Sequence, residues 1–553
     1  MHAAVTDSVH SLCDDYVTRH ADLDPVAATV RGIPGQESRL TDYSPEGHRA
    51  RHELNTSTLR AVAAARPRDA AEATARTVFA ERVGMEVEIH DAGLDSAALN
   101  VIESPVQLLR SVFDLMPTRT PADWAVIASR LARVPEAVTG IQEGLRYAAA
   151  RGTVAALRQV TGCAAQCESW AAGYFTALTA DADVPAALRA DLDAGVRAAS
   201  AAYSGLARFL RTELAPSAPV KDAVGADTYA LWLRYFTGAV LDPVEVHAWG
   251  WQEFLAIEAE LRRVADRIAP GAGPRGAAAV LNADPAWLAE GTEGFRRWAQ
   301  DLSDATSAEL RGSHFDIPAP LATLECRIAP AGGGTYYTGP SDDLSRPGRV
   351  WWSLPAGRTH HPTWRKVTTV YHEGVPGHHL QVGTAVLRAG RLNRFQRLLC
   401  HVSAHSEGWA LYAERLMREL GHLKDDAALM GMLDAQLFRA ARVVIDTGMH
   451  LELPVPAGVG FREGERWTPE LGRAFLLTRT LIDPGGVDEE IDRYLGWPGQ
   501  APSYKLGERV WRAARDEARR RHGPAFDAKV FHSRALGLGA MGLDTLRESL
   551  AAL

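Results

Sequence analysis

Tyr371-His-Glu-Gly-Val-Pro-Gly-His-His-Leu-Gln381 sets an adjacent His372-Glu373 pair six residues ahead of His378-His379. A catalytic zinc site needs imidazoles and a carboxylate as ligands, with a further carboxylate that binds no metal to act as general base toward the attacking water. This stretch supplies the imidazoles and the base. Its spacing departs from the common His-Glu-x-x-His pair, whose histidines share one helix face at i and i+4. Here position i+4 is Pro376. In a regular helix His372 and His378 would be about 240° apart in rotation, and His379, though on the same face, would lie about 10 Å along the axis, too far for one metal. The helix is therefore expected to be interrupted. Pro376 removes the hydrogen bond to the carbonyl of His372 and clashes with it, and Gly374 and Gly377 permit a bulge or a broken turn. A two-residue bulge between Glu373 and His378 would restore convergence. His378 is thus the expected second ligand, and His379 is left for a supporting or substrate contact.

A third ligand is expected from His405-Ser-Glu-Gly-Trp-Ala-Leu-Tyr-Ala-Glu414. Glu407 and Glu414 are seven apart and nearly eclipsed on one helix face, so one can bind metal while the other supports a ligand. A ligating histidine usually donates its other N–H to a carboxylate, the place assigned to Glu414.

With both segments in hand the chain resembles the bacterial domain-of-unknown-function 885 family, whose hallmarks are His-Glu-x-x-Pro-Gly-His-His-Leu-Gln and Glu-Gly-Trp-Ala-Leu-Tyr-x-Glu. Further matches are Tyr336-Tyr337 with Arg346-Pro347, Asp446-Thr-Gly-Met-His450, Arg493-Tyr494, Pro498-Gly-Gln-Ala-Pro-Ser-Tyr504-Lys505-Leu-Gly507 and Phe531-His532. The N-terminal half matches more loosely, through Gly32 and Asp42-Tyr-Ser-Pro45. That family is similar in turn to helical zinc peptidases of the Taq-type carboxypeptidase and angiotensin-converting-enzyme type. Their His-Glu-x-Gly-His pattern again aligns His378 as ligand, with Glu407 the third. The resemblance implies one zinc ion per chain on His372, His378 and Glu407, with Glu373 as base. It also implies Tyr494 as oxyanion donor, by likeness of Ile491-Asp-Arg493-Tyr494 to an Ile-Arg-Tyr region. Tyr504 is the alternative donor, because its Pro-Gly-Gln-Ala-Pro loop is of a kind that projects into clefts, and Lys505 or Arg493 is expected to bind a substrate carboxylate. His450 joins the candidates through its motif. Residues 451–469 replace a shorter connection expected in the family and are expected to reshape the substrate cleft.

Composition fits a large enzyme. The 553 residues are 46% apolar and 23% charged, enough to bury a sizeable core. Sixty Lys+Arg against 68 acids give a net charge of −8, which argues against a nucleic-acid groove. The run Arg512–Arg521 is interleaved with Asp516 and Glu517 and reads as a solvated helix face. No segment is apolar enough for a membrane span. The start, Met1 to Asp15, has neither a basic region nor an apolar core, and the five cysteines are few and odd in number. Both suit a reducing cytoplasm, whereas the family resemblance implies export signals in many members. Cys163 and Cys167 are expected to be helix packing.

Residues 1–265 alternate stretches of helical period with breakers such as Gly32-Ile-Pro-Gly35 and Ala215-Pro-Ser-Ala-Pro219. After Pro270-Gly-Ala-Gly-Pro274 another helix is expected. Thr323–Pro330 and Arg349–Leu354 then read as short strands around Gly332-Gly-Gly334, able to take an extended peptide as an added edge strand. The expected fold is mainly α: a large helical zincin-like body, 1–553, with a short β-sheet next to the metal-binding helix. The alternative is a division into 1–265 and 266–553.

The leading expectation is a zinc-dependent peptidase, carboxypeptidase or dipeptidase-like, acting on small or unstructured peptides. A zinc amidohydrolase for a non-peptide amide is the second. A non-catalytic metal-binding protein is the third, and Glu373 argues against it because a structural zinc site has no use for a free base. Substrate identity, oligomeric state and the physiological metal are not legible.

Overall fold

The computed structural model describes residues 8–329, 334–341 and 343–553. Met1–Asp7 and two of the three glycines in the Gly332–Gly334 loop lie outside the described residues. The chain is mainly helical, and two compact units can be separated. Unit 1 comprises Met1–Val224, Asn393–Cys400 and Glu489–Trp497, and unit 2 comprises Gly225–Leu392, His401–Asp488 and Pro498–Leu553. Residues 265 and 266 fall within one continuous helix, Pro243–Ile268, of unit 2.

Unit 1 is built on helices α1 (Val9–Leu23), α2 (Pro45–Ala64), α3 (Ala70–Asp91), α4 (Pro121–Leu131), α5 (Val134–Ala150), α6 (Leu157–Ser169) and α7 (Ala186–Phe209). Their starts follow local chemistry. Thr120 and Asp123 form a reciprocal capping box ahead of α4, and Pro121 occupies the first helical position, where no N–H is needed. The core of this unit joins Leu131, Ile127, Val138, Ile141, Cys163, Cys167, Phe175 and Tyr203. Each fully buried aliphatic side chain here contributes roughly 1.5–3 kcal/mol. Cys163 and Cys167 are buried and free within that core, as helix packing requires.

Unit 2 holds α8 (Pro243–Ile268), α9 (Gly291–Leu310), α10 (Lys366–Glu373), α11 (His378–Leu387), α12 (Ser403–Glu419), α13 (Asp426–Leu451) and α14 (Pro469–Arg479). In chain order α15 (Val487–Gly496) belongs to unit 1 from Glu489 onward, and α16 (Ser503–His522) belongs to unit 2. α12 and α16 cross at their glycines. A Cβ on Gly507 would stand 1.8 Å from the Ala404 carbonyl oxygen and one on Gly408 2.4 Å from Gly507, so any side chain at either position would force these helices apart.

The strands lie in unit 2. β1 (Leu288–Glu290) pairs antiparallel with β5 (His360–Pro362). β2 (Leu324–Ile328) runs parallel to β4 (Gly348–Trp352), and β3 (Tyr336–Thr338) is antiparallel to it, in the order β2-β4-β3. The edge of β2 is already engaged: Gln300 on α9 donates to Leu324 O at 2.7 Å and accepts from Cys326 N at 2.8 Å. An added peptide strand would therefore have to use the three-residue β3 side. The sheet meets α11 where the Tyr337 hydroxyl lies 2.9 Å from His379 Nδ1.

Candidate metal centre

The expected interruption is a complete break. α10 ends at Glu373, four residues follow, with a cis bond at Val375-Pro376, and α11 begins at His378. The break is longer than a two-residue bulge because Pro376 cannot supply an N–H and the chain turns sharply enough for Gly377 N to reach Tyr371 O at 3.0 Å. Only glycine fits there, since a Cβ on Gly377 would sit 1.9 Å from the His372 carbonyl oxygen. Trp409 of α12 pins the break by donating from Nε1 to Pro376 O at 2.9 Å, which gives the tryptophan of the second motif its purpose.

This geometry brings three groups together. Ligand-capable atoms of His372, His378 and Glu407 all lie within 4.8 Å of one another. Glu407 Oε2 is 3.3 Å from His372 Nε2 and 3.6 Å from His378 Nε2, and the two rings stand perpendicular with centroids 4.9 Å apart. Glu407 Oε2 is buried without a hydrogen bond. His372 Nδ1 donates to Glu414 Oε1 at 2.8 Å, which turns Nε2 toward Glu407 and makes it the nitrogen that would meet a metal on losing its proton. A carboxylate oxygen and two imidazole nitrogens converging in this way form a donor set that suits a divalent cation such as zinc.

The electrostatics follow from burial among opposite charges. Burial alone would raise the Glu407 carboxyl, yet the His372 and His378 imidazoles hold it well below the usual range. Burial would lower His372, and Glu407, Glu414 and Glu373 push it well above its usual value instead. Glu373 is buried, and that burial raises its carboxyl against the pull of His372, His378 and Arg439.

His379 faces elsewhere. Its Nδ1 meets the Tyr337 hydroxyl and its Nε2 lies 3.0 Å from Leu321 O, so both ring nitrogens are engaged by the sheet side of the unit, and burial pulls the ring down to about 4. The supporting role expected for Glu414 extends further, because its Oε2 accepts from Gln436 Nε2 at 3.0 Å. Gln436 Oε1 accepts in turn from Lys505 Nζ at 2.9 Å.

Lys505 corrects an expectation. It is 1% exposed, its ammonium lies 2.8 Å from Glu253 and is bonded to Glu508, and it is not available to a substrate carboxylate. A neighbouring Arg415 binds the same two acids, at 2.9 and 2.6 Å. Tyr504, one residue earlier, is half-buried beneath the guanidinium groups of Arg439 and Arg442, whose centres lie 5.7 and 5.2 Å from its ring. His450 is wholly buried at the end of α13, its ring 5.5 Å from Tyr229, whose hydroxyl donates to Asp446 Oδ2 at 2.7 Å. Arg493 and Tyr494 belong to unit 1, where Tyr494 is fully buried and Arg493 stands over the Trp497 ring at 5.8 Å.

The 451–469 segment is anchored by Trp467, buried against His247, Trp251, Phe461 and Phe475. His247 bonds Thr447 on α13 at 2.8 Å, eleven residues and roughly 16 Å along the helix from Gln436. Its packed end thus serves the α8–α13–α14 core. Gln436, Arg439 and Lys366 were not marked in the sequence. The available signal was polar residues three apart, Gln436, Arg439 and Arg442, along one side of the Ala-, Leu- and Val-rich α13.

Over residues 25–550 the chain matches the family described as "Bacterial protein of unknown function (DUF885)". The chain belongs to the DUF885 family. Two solved structures share the fold of this DUF885 protein. One is described as a "putative lipoprotein" from Colwellia psychrerythraea: 23% identity, TM-score 0.84, 98% of each chain covered. The other is described as a "putative lipoprotein of unknown function" from Shewanella oneidensis: 14% identity, TM-score 0.69, covering 98% of this chain and 99% of that one. A comparison with curated proteins finds no match. Among the described residues of the DUF885 chain, no helix is long and apolar enough to cross a membrane.

Proposed function

We propose that this DUF885 protein is a zincin-like, zinc-dependent hydrolase that cleaves amide bonds of short peptides, in the manner of a carboxypeptidase or dipeptidase. The observation that carries the reading is the convergence of His372, His378 and Glu407 within 4.8 Å, with Glu373 next to the first ligand in sequence and buried. His372, His378 and Glu407 would hold the metal. Zinc so bound supplies Lewis acidity and a nucleophile at neutral pH. Glu373 accepts the proton of the attacking water and returns it to the departing amine, a role suited to a carboxylate that burial has raised. Glu414 fixes the tautomer of His372, and Gln436 and Lys505 hold Glu414 in place. All five cysteines are free and buried, and we keep cytoplasmic placement as part of this proposal.

The test is metal content by plasma mass spectrometry, together with a hydrolysis screen of dipeptides and N-acyl amino acids on the zinc-loaded protein. One zinc per chain and cleavage abolished by Glu373→Gln, with zinc retained, is the expected result. Unchanged turnover in that variant rejects the mechanism, and cleavage confined to non-peptide amides moves the substrate class to an amidohydrolase.

A further inference from the structure

The roles assigned so far leave Lys366 and Arg439 of unit 2 unused. Lys366 precedes Glu373 by seven residues on α10, two turns along the same face. Arg439 lies one turn beyond Gln436 on α13, and Gln436 reaches Glu414 behind the first ligand. The same Gln436 is bonded by Lys505, whose neighbour Tyr504 sits with its ring 5.7 Å from the Arg439 guanidinium. Lys366, Arg439 and Glu373 are close enough to act on one another electrostatically, and the Arg439 guanidinium stands over the Tyr504 ring, which groups the two cations and the tyrosine near Glu373.

The charges there do not balance. Asp434, the one carboxylate paired with Arg365 at 3.3 Å, also feels Arg439 and Arg275, so a single acid is shared among several cations. Among the described residues, no hydrogen bond or ion pair engages the Lys366 ammonium or the Arg439 guanidinium, and Arg439 Nε is buried with nothing to donate to. The crowding is felt: burial and then Arg365 and Arg439 pull the Lys366 ammonium down, with Glu373 opposing them. A buried donor without a partner beside like charges is costly, and an anion placed among them removes that cost. The contrast with Lys505, enclosed by Glu253 and Glu508, is direct.

We infer that Arg439, Lys366 and the Tyr504 hydroxyl form a receptor for the α-carboxylate at the C-terminal end of the substrate. The placement rests on the hydrolase reading of the adjacent metal centre. A guanidinium matches a carboxylate with two parallel N–H donors, the ammonium adds a point charge, and the phenol adds one donor. Lys366 and Glu373 are about 10 Å apart along α10, a span that an extended chain of no more than about three residues covers. The bond cleaved is then close to a free C-terminus, and an internal bond of a long chain is not served.

Equilibrium binding of benzoylglycyl-phenylalanine and of its C-terminal amide to zinc-loaded Glu373→Gln protein tests the receptor without turnover. The acid is expected to bind at least about tenfold more tightly than the amide. Arg439→Gln in that background should erase the preference, and Arg439→Lys should keep part of it, with zinc content and circular dichroism unchanged in both. Equal binding of acid and amide, or a preference that survives Arg439→Gln, overturns the receptor even if wild-type protein hydrolyses peptides. An acid preference lost in Arg439→Gln, with no hydrolysis of either compound by the wild type, supports the receptor and overturns the hydrolase reading instead.

Discussion

His372 and Glu414 are joined by a 2.8 Å hydrogen bond from Nδ1 to Oε1, and this bond aims the opposite nitrogen of the ring at Glu407, 3.3 Å away. One carboxylate thereby orients the imidazole and the other faces its second nitrogen. The two acids, seven residues apart on α12, divide these tasks because one helix face presents both to α10.

Glu414→Gln should weaken this arrangement without breaking the fold, since the amide oxygen can still accept from Nδ1 but carries no charge. Zinc affinity is expected to fall about 10- to 100-fold. Competition against a chromogenic chelator measures it, and wild-type affinity in the variant would show that Glu414 does not tune the site.

His378→Ala should remove bound zinc, whereas His379→Ala should retain it. The second change instead strands the Tyr337 hydroxyl and the Leu321 carbonyl, at a cost of about 1–3 kcal/mol. Metal analysis paired with urea unfolding separates the two effects. Loss of zinc in His379→Ala at unchanged stability would reverse the assignment.

Lys505→Met leaves Glu253 and Glu508 facing each other with Arg415 between them and Arg512 3.6 Å from Glu508. A loss of about 3–5 kcal/mol is expected, the range for breaking a buried ion cluster from one side. Thermal unfolding reads it. A near-neutral effect would return Lys505 to the list of residues able to meet a ligand.

Acid should destabilise the protein well before its carboxylates titrate. Burial pulls His247 from 6.5 down to about 4 and His532 down to about 3, the latter aided by Arg515. The unfolded chain takes up these protons below about pH 6.5 and the folded chain does not, so the stability contributed is complete above pH 6.5 and is lost progressively as pH falls toward 4. Urea unfolding at pH 7.5 and pH 5 should show the decline, and His532→Gln should reduce its slope. An unaltered slope in that variant would remove His532 from the account.

By itself the sequence determined the helical class, the break between His372 and His378, the pairing of Glu407 with Glu414 and the two strands of the parallel pair. Each of these rests on spacing or local stereochemistry, and a proline with two glycines cannot continue a helix wherever the chain goes. Other features depended on which residues three-dimensional packing brings together. Lys505 and His379 look equally free in sequence, yet one is enclosed by Glu253 and Glu508 and the other is held by Tyr337 and the Leu321 carbonyl. Gln436 and Arg439 carry no motif, and they matter because the packing of α13 against α10 and α12 sets Gln436 against Glu414. The division of the chain has the same origin, because Asn393–Cys400 and Glu489–Trp497 join unit 1 from far along the sequence through long-range packing. Local rules set where a helix starts and stops, and only tertiary contact sets which buried charge finds a partner.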